Sequence, residues 1–530
     1  MREAKILLSL VASGTAGDLA PSALVTAAGR RIDALRALQS AAGLFLGGDN
    51  VQSPPDSAFT INDACDTWAF IAPLAADDAV GPLRAVLEAI IRDATEPLLS
   101  GGVHTPNHRW EISAALARIH RSFPDQRLVD RIDEWLAEGI DIDPDGIYSE
   151  RSPNYAVHVT NPSLTAIAAI LHRPELDAIV LRNLEATLSL IRPDGTVESV
   201  QSRRQDQLVR FPLAPYTATF YSAAVVSGRA DFVEAARRAF LSSPLDPELL
   251  AATLVQPVLL EDIPAFPDDA VDASWTEPGS SLLASAGLAV RRSQRAESVI
   301  YGGSDHAVAG RIRSGLANNP TFCRMFAGAA ILDSVRLSRA FFDLGPFRAS
   351  SMRQTAENVF VLEESVQAAY YQPLPPEGRN PDGKYALVDD GRFSAAMSFP
   401  ARGRDVVSMH TAIEVRLLDE GIDLEVQIAA PRLAWSLEFG FREGGTLVGA
   451  TPDTDGSWIF PTGVGSYRVG SASITVDVDG AAVSARPLRY QPGQDYTYLG
   501  GTDAADGVRV RVGGTAPTSF GVRIRAKATS

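Results

Sequence analysis

Cysteine and clustered basic residues are scarce in this chain of 530 residues. Cys65 and Cys323 are its only cysteines. This excludes a disulfide framework and a thiolate zinc site, and both residues are interpreted as small buried apolar side chains. The formal net charge is −16 and no basic run occurs. A nucleic-acid-binding protein is therefore excluded, because neutralising phosphates needs a basic surface.

Long apolar runs and several common enzyme motifs are absent as well. No stretch approaches the roughly 18 apolar residues that span a bilayer, so we expect a soluble protein with no membrane partner. The sequence contains no HExxH, P-loop or GxSxG motif and no GxGxxG after a strand. The commonest metalloproteases, nucleotide-binding proteins and α/β-hydrolases are thereby excluded.

The first residues deserve comparison with a signal peptide, since Arg2 and Lys5 precede a short apolar stretch. That stretch is at the lower length limit and is interrupted by Ser9. We interpret it as an amphipathic helix. The expectation is a cytoplasmic protein, with secretion left open.

Apolar residues in the first half recur with the period of a helix. Leu83, Leu87 and Ile90 share one helical face, and similar spacings recur up to about residue 250. Turn sequences such as DPDG at 143–146 and RPDG at 192–195 separate these segments. The pattern predicts successive helical hairpins with functional loops at one end.

The period changes to two in the second half. Residues 413–417 and 422–428 alternate apolar with polar side chains on either side of a DEG turn. With 45% hydrophobic residues, the chain can bury two or three cores. We predict a multidomain α+β protein with a helical domain at 1–255, a Pro- and acid-rich linker at 256–280, an antiparallel β domain at 281–445 and a small C-terminal β subdomain at 446–530.

One polar segment of the helical half is TPNHRWE at 105–111. Asn107 is well placed as a helix N-cap, and the helix that follows would direct His108 and Glu111 away from its apolar stripe. These groups are candidates for chemistry. A capped and solvated first turn would explain them equally simply.

A second polar segment is DGIYSERSPNYAVH at 145–158. A helix that begins near Pro153 would place Tyr155 and His158 three residues apart on one face. The helix N-terminus favours a phenolate, so the two side chains would form an acid–base pair. The alternative is a tyrosine whose hydroxyl simply lies in water.

The third segment, ESVQSRRQD at 198–206, contains two adjacent arginines. Because Arg203 and Arg204 cannot both point one way, one would bind a carboxylate and the other would pair with a local acid. A solvated charge cluster is the alternative. The β half adds His306, Arg311 and Asn318 within GGSDHAVAGRIRSGLANN.

The order of these parts and the elements NHRW, DGIYSERSPNY and SDHAVAG resemble the heparinase II/III-like polysaccharide lyases. More loosely, they resemble the hyaluronate, chondroitin and xanthan lyases. The resemblance implies an N-terminal (α/α) toroid followed by an antiparallel β-sandwich. It also implies β-elimination at a uronic acid, with an acidic poly- or oligosaccharide as substrate and no cofactor; a homo-oligomer is left open. The segment around His306 lacks the metal-binding pattern of some relatives, so we predict no essential metal.

The resemblance further implies a role for each candidate. Tyr155 would be the base, and also the acid that protonates O4. Asn107, His108 and an Arg, either Arg204 or Arg203, would neutralise the uronate carboxylate, and His306 would assist. The substrate-binding candidates are Glu150, His158, Arg203, Gln201, Trp110, Tyr216, Arg311 and Asn318.

Two other functions remain open. A glycoside hydrolase on the same architecture would use two carboxylates, with Glu111 and Glu150 as the obvious pair. A non-catalytic sugar-binding protein would instead present stacking platforms, for which the candidates are Trp68, Trp110, Tyr148 and Tyr216.

Overall fold

The computed structural model describes residues 1–46, 50–74, 77, 79–242, 273–305, 315–391, 393–479, 483–484, 486–491 and 505–528. The chain forms two compact units. The helical unit comprises residues 1–197 and 211–275, and the β unit comprises residues 198–210 and 276–530. Most of the predicted linker at 256–280 lies outside the described residues, so its boundaries stay predictions.

The helical unit is built from hairpins of consecutive helices. Its helices are α1 (Arg2–Ser13), α2 (Pro21–Leu38), α3 (Pro54–Phe70), α4 (Val80–Ser100), α5 (His108–Ser122), α6 (Gln126–Leu136), α7 (Pro153–Tyr155), α8 (Asn161–Leu171), α9 (Pro174–Leu190), α10 (Thr217–Ser227) and α11 (Ala230–Ser242). None of the described helices combines the length and apolar character needed to cross a lipid bilayer.

These helices lie in two layers. In one layer α1 packs on α3, α3 on α5 and α5 on α8, while α2, α4, α6 and α9 each pack against the preceding member of that layer. Alternation between an inner and an outer helix is the plan of an α/α toroid. Helix α5 has inner-layer neighbours on both sides and α4 and α6 beside it, so residues 110–119 are all buried.

A short excursion interrupts the helical unit. Strands β1 (Thr196–Val197) and β2 (Phe211–Pro212) pair antiparallel, and residues 198–210 between them belong to the β unit. The predicted segment 198–206 therefore leaves and rejoins the helical unit at one point. Helical periodicity cannot reveal this, because the excursion contains no long periodic element.

The β unit carries one large, almost entirely antiparallel sheet. Its strands are β3 (Gly279–Leu283), β4 (Leu288–Arg292), β5 (Glu297–Tyr301), β6 (Cys323–Ala327), β7 (Ala330–Arg339), β8 (Ser351–Ala356), β9 (Val359–Tyr371), β10 (Leu387–Asp389), β11 (Ser394–Ala396), β12 (Arg404–Leu418), β13 (Gly421–Phe441), β14 (Thr446–Val448), β15 (Thr451–Pro452), β16 (Trp458–Ile459), β17 (Val464–Val469), β18 (Ala472–Asp479) and β19 (Val508–Ala528). Strands β10 and β11 form a separate hairpin, and β16 runs parallel to β19.

Strand β13 connects two groups of strands. Its first part pairs with β12, which continues to β9 and β8, and its second part pairs with β7, which continues through β6, β5, β4 and β3. The register against β19 shifts between Ile428 and Leu433, where the pairing partner changes. The apolar side chains of both groups form one core cluster. The predicted hairpin at the DEG turn is confirmed, with Leu418 opposite Gly421.

Candidate active site

The turn at residues 143–148 is fixed against α8 and α9. Gly146 has φ +87°, and a Cβ there would lie 2.6 Å from the carbonyl oxygen of Arg182, so only glycine fits. Asn183 Nδ2 donates to the Gly146 carbonyl at 3.0 Å, and Tyr148 Oη donates to Asn161 Oδ1 at 2.8 Å. The chain that leads to Tyr155 therefore leaves an immobilised turn.

Tyr155 lies at the start of a capped helix. The backbone N–H of Tyr155 donates to Ser152 Oγ at 3.1 Å, with Pro153 at the first helical position. Tyr216 Oη donates to the Pro153 carbonyl at 3.0 Å from the start of α10. The predicted helix start near Pro153 is confirmed. Two hydrogen bonds thus fix the backbone beneath the half-buried ring of Tyr155.

The segment after Tyr155 differs from the predicted regular helix. Ala156–Thr160 form a π-helical turn. A π-turn contains more residues than an α-turn, so positions three apart no longer lie above one another. His158 is exposed, and its ring packs edge-to-face with the ring of Phe211, with 6.2 Å between the ring centroids. The expectation that Tyr155 and His158 share a face rested on α-helical geometry, which this turn does not have.

A hydrogen bond joins two predicted site residues, Asn107 and Glu150. Asn107 Nδ2 donates to Glu150 Oε2, and Thr105 Oγ1 donates to Asn107 Oδ1 at 3.4 Å. Asn107 is 1% exposed and Glu150 7%. Asn107 occupies the N-cap position of α5, but its side chain does not cap the helix. The amide is instead oriented towards the segment that carries Tyr155.

His108 and Glu111 are buried, which corrects the expectation that both face away from the apolar stripe. Helix α5 is packed on several sides, so it has no solvated face at this end. The rings of His108 and His104 pack edge-to-face, with 4.6 Å between their centroids. A capped and solvated first turn is therefore not what the segment forms.

Glu111 belongs to a buried polar network. Its Oε1 accepts from Asn62 Nδ2 at 2.7 Å and its Oε2 from Ser163 Oγ at 3.2 Å. Arg118 Nη1 donates to Asn62 Oδ1 at 3.1 Å, and Arg118 Nε donates to Asp66 Oδ1 at 3.0 Å. Burial raises the pKa of Glu111 to about 7, although the hydrogen bond from Asn62 opposes the rise.

The raised pKa of Glu111 predicts that the unfolding free energy depends on pH less steeply in Glu111→Gln than in the wild type. The pKa of Glu111 in the folded state lies above its unfolded value of about 4.3, so the folded state retains the Glu111 proton more strongly. The stabilisation that comes from this protonated carboxyl is fully present below about pH 4. It is lost as the pH rises through 7, a change on the order of 3 kcal/mol. Chemical denaturation between pH 5 and 8 should show a weaker loss of stability with pH in this variant than in the wild type.

The exposed Glu377 provides the matched control. We expect Glu377→Gln to leave the slope of unfolding free energy against pH as in the wild type. An unchanged slope in Glu111→Gln would contradict a raised pKa for Glu111.

Two aromatic residues predicted to bind substrate cannot stack on a sugar. Trp110 is 0% and Tyr216 1% exposed. Trp110 Nε1 donates to Asp141 Oδ1 at 3.2 Å, and the Arg109 guanidinium lies over its ring. Tyr148 is also buried. This corrects the expectation of a stacking platform from these rings, which instead fasten the start of α5 and the turn before Tyr155.

The excursion at 198–210 is anchored within the β unit. Arg324 Nη1 donates to Glu198 Oε1 at 2.7 Å. Gln207 Oε1 accepts from the backbone N–H of Asn318 at 3.1 Å, and the Gln207 carbonyl accepts from Asn319 Nδ2 at 2.6 Å. Contacts at both ends therefore hold the excursion to β6 and to the segment before it.

Between these anchors, Arg203 pairs with Asp305, an acid 102 residues away, rather than with the local acid that the sequence predicts for one of the two arginines. Its Nε and Nη2 donate to the two carboxylate oxygens of Asp305 at 2.5 and 2.9 Å. Arg204 is half-buried. Gln201 and Asn318 are 1% and 2% exposed.

His306 and Arg311 lie outside the described residues. Within the described ranges, no group of three or more His, Cys, Asp or Glu side chains could hold a metal ion.

Sequence reasoning did not single out Asp305 or Asp141. Asp305 directly precedes His306 in the segment SDH, which was the available signal, but nothing local connects it to Arg203. Asp141 accepts hydrogen bonds from Trp110, Arg109 and Ser149 and so joins α5 to the turn.

Comparisons by sequence and by structure gave different results. It matches no protein-family model and no curated protein. Among solved structures it is similar to the chondroitin AC lyase of Streptomyces coelicolor A3 in complex with chondroitin sulphate, with a TM-score of 0.54 and 12% identity over 99% of this chain and 75% of that one. For a Tyr-to-Ala mutant of the same enzyme the TM-score is 0.53 and the identity 13%, over 100% of this chain and 83% of that one.

The heparan sulfate lyase HepC of Pedobacter heparinus is also similar, with a TM-score of 0.48 and 10% identity over 89% of this chain and 69% of that one. A score below 0.5 adds nothing to the fold assignment. The fold assignment rests on the match to the Streptomyces enzyme. The chain has a polysaccharide-lyase-like fold, as the resemblance in its sequence predicts.

Proposed function

We propose that this protein is a lyase that cleaves a uronate-containing glycan by β-elimination. The fold shared with the chondroitin AC lyase supports the reaction class. The observation that carries the proposal is the hydrogen bond from Asn107 to Glu150. It joins a candidate donor to the uronate carboxylate with the rigid segment that ends at Tyr155.

The reaction needs a base at C5 and a donor to the C6 carboxylate. The C5 proton is poorly acidic until hydrogen-bond donors stabilise the charge that develops on the carboxylate. Tyr155 removes this proton as tyrosinate, the C4–O4 bond breaks, and the same hydroxyl returns the proton to O4. A phenol of ordinary pKa near 10 requires neighbouring positive charge to act as a base.

Asn107 supplies one donor to the carboxylate. An amide NH2 carries two N–H groups, and only one is needed for Glu150. Arg204 supplies a charged donor. Two N–H groups of Arg203 face Asp305, which gives Arg203 a structural role.

The two arginines should respond differently to substitution. We expect Arg204→Ala to raise KM for the polymer about 10-fold or more through loss of a charge-assisted hydrogen bond to the uronate carboxylate. Arg203→Ala should lower the unfolding free energy by about 1 kcal/mol, since its pair with Asp305 is partly exposed. Steady-state kinetics and thermal denaturation check both. Equal effects of the two variants on KM at equal stability would contradict the assignment.

The runner-up function is a two-carboxylate glycoside hydrolase. A carboxyl with a pKa of about 7 suits a general acid, and Glu111 has one. However, Glu111 is 4% exposed, and Asn62 and Ser163 occupy its two oxygens. Glu150 likewise accepts from Asn107. These contacts favour a structural role for Glu111.

A substrate screen tests the proposal. The full chain is incubated with alginate, glycosaminoglycans and a rhamnose-containing gum, while ultraviolet absorbance of an unsaturated uronate and the number of reducing ends are recorded together. Both signals should rise in equal molar amounts with at least one polymer. Reducing ends without that absorbance would replace the lyase by a hydrolase, and Glu111→Gln should then abolish activity.

A further inference from the structure

A cavity of about 360 Å³ lies within the helical unit, between the loop before α3 and the loop before α5. Residues 50–55 and 102–104 line it. The two loops approach closely because Gly101 has no side chain: a Cβ there would lie 2.6 Å from the Pro54 ring. The volume falls at the small end of the roughly 300–1,000 Å³ typical of small-molecule sites.

The chemistry of the lining suits a neutral polar ligand. Asn50 and Gln52 offer amide donors and acceptors, and His104 offers an imidazole. Pro54 and Pro55 add apolar rings. None of the described lining residues is Asp, Glu, Lys or Arg, so the described lining offers no fixed counter-charge for a sulfate or carboxylate. A pyranose with hydroxyl groups and an apolar C–H face matches this mixture.

The cavity adjoins the candidate active site through two histidines. His104 lines the cavity, and its ring contacts that of His108 at 4.6 Å between centroids. His108 directly follows Asn107, whose amide binds Glu150. The cavity therefore lies next to the start of α5, where a residue assigned to the uronate is located.

We infer that this cavity is a subsite for an uncharged sugar unit that neighbours the uronate. The inference rests on the proposed function and narrows its substrate class to glycans in which a uronate is linked to a neutral, unsulfated sugar. The sugar hydroxyls bind Asn50, Gln52 and His104. A sulfate on that unit weakens binding.

The test measures binding, so it needs no turnover. Methyl β-glucoside and its 6-sulfate are titrated into the full chain, and the imidazole resonance of His104 is followed by NMR, identified by its loss in His104→Ala. We expect the neutral glucoside to shift this resonance and to bind at least five times more tightly than the sulfate. No shift with the glucoside, or equal affinity for both sugars, would overturn the inference.

Substitutions inside and outside the cavity test where the glucoside binds. Gln52 has φ +49°, a region that glycine adopts without strain, so Gln52→Gly removes the side chain without a steric penalty in the backbone. We expect it to weaken glucoside binding at least five-fold. The exposed Gln126→Ala, outside the cavity, should bind as the wild type does. Unchanged binding in Gln52→Gly would also overturn the subsite.

The outcomes separate this subsite from the proposed reaction. A chain that binds the glucoside as described but forms no unsaturated uronate with any polymer keeps the subsite and rejects the lyase. A chain that forms unsaturated uronate but does not bind the glucoside at His104 keeps the lyase and rejects the subsite.

Discussion

The Tyr155→Phe variant should lose glycan cleavage by on the order of 10³-fold in kcat, because it removes one atom that both takes and returns the proton. The ring stays, and the backbone hydrogen bond to Ser152 does not involve the hydroxyl. Binding of the polymer should therefore change little. Initial rates of unsaturated-uronate formation, together with polymer affinity measured by titration, check the prediction.

A matched control removes a hydroxyl elsewhere. Tyr370 is 60% exposed on β9, and Tyr370→Phe should retain wild-type kcat and KM. A Tyr155→Phe variant that keeps full activity would remove Tyr155 from the mechanism. A partial loss of about 10-fold or less would indicate a positioning role and favour the hydrolase.

The Asn107→Asp variant should lose on the order of 10² in kcat, the usual cost of one lost donor to a developing negative charge. A carboxylate cannot donate to the uronate when ionised, and it also faces Glu150, so like charges raise the pKa of one of the two carboxyls. A lower melting temperature at pH 8 than at pH 5, relative to the wild type, is expected as well. Kinetics and thermal denaturation at both pH values measure these effects.

A double variant separates catalysis from folding. In Asn107→Asp combined with Glu150→Gln, donor and acceptor are exchanged and one hydrogen bond between the two side chains is restored. We expect the melting temperature to recover while kcat stays low, because the donor to the substrate is still missing. Recovery of kcat along with stability would show that the pair serves only to hold the two segments together.

Much of the architecture follows from local patterns. The period of the apolar residues identifies helices before residue 250 and strands after 280, since each period reflects which face of an element is buried. The hairpin between β12 and β13 and the helix start at Pro153 are set by turn and cap residues close in sequence. For the same reason, the segment of Tyr155 could be recognised without tertiary information.

Other expectations failed where packing overrides local pattern. The sequence predicts that His108 and Glu111 face away from the apolar stripe of α5 and that Trp110 can stack on a sugar, but neighbouring helices bury this end of α5. The π-turn after Tyr155 changes the direction of His158, and no simple periodic pattern announces it. These differences remove the stacking role of Trp110 and the expected Tyr155–His158 pair.

The sequence by itself determined the two structural classes, their order and the capped turn that presents Tyr155, because each depends on residues a few positions apart. Only the tertiary structure decided that Asn107 binds Glu150, 43 residues away, and that Arg203 pairs with Asp305, 102 residues away. It also decided that residues 198–210 belong to the β unit. Such pairings depend on how whole elements pack, and a single sequence carries no local signal for the partner of a polar side chain.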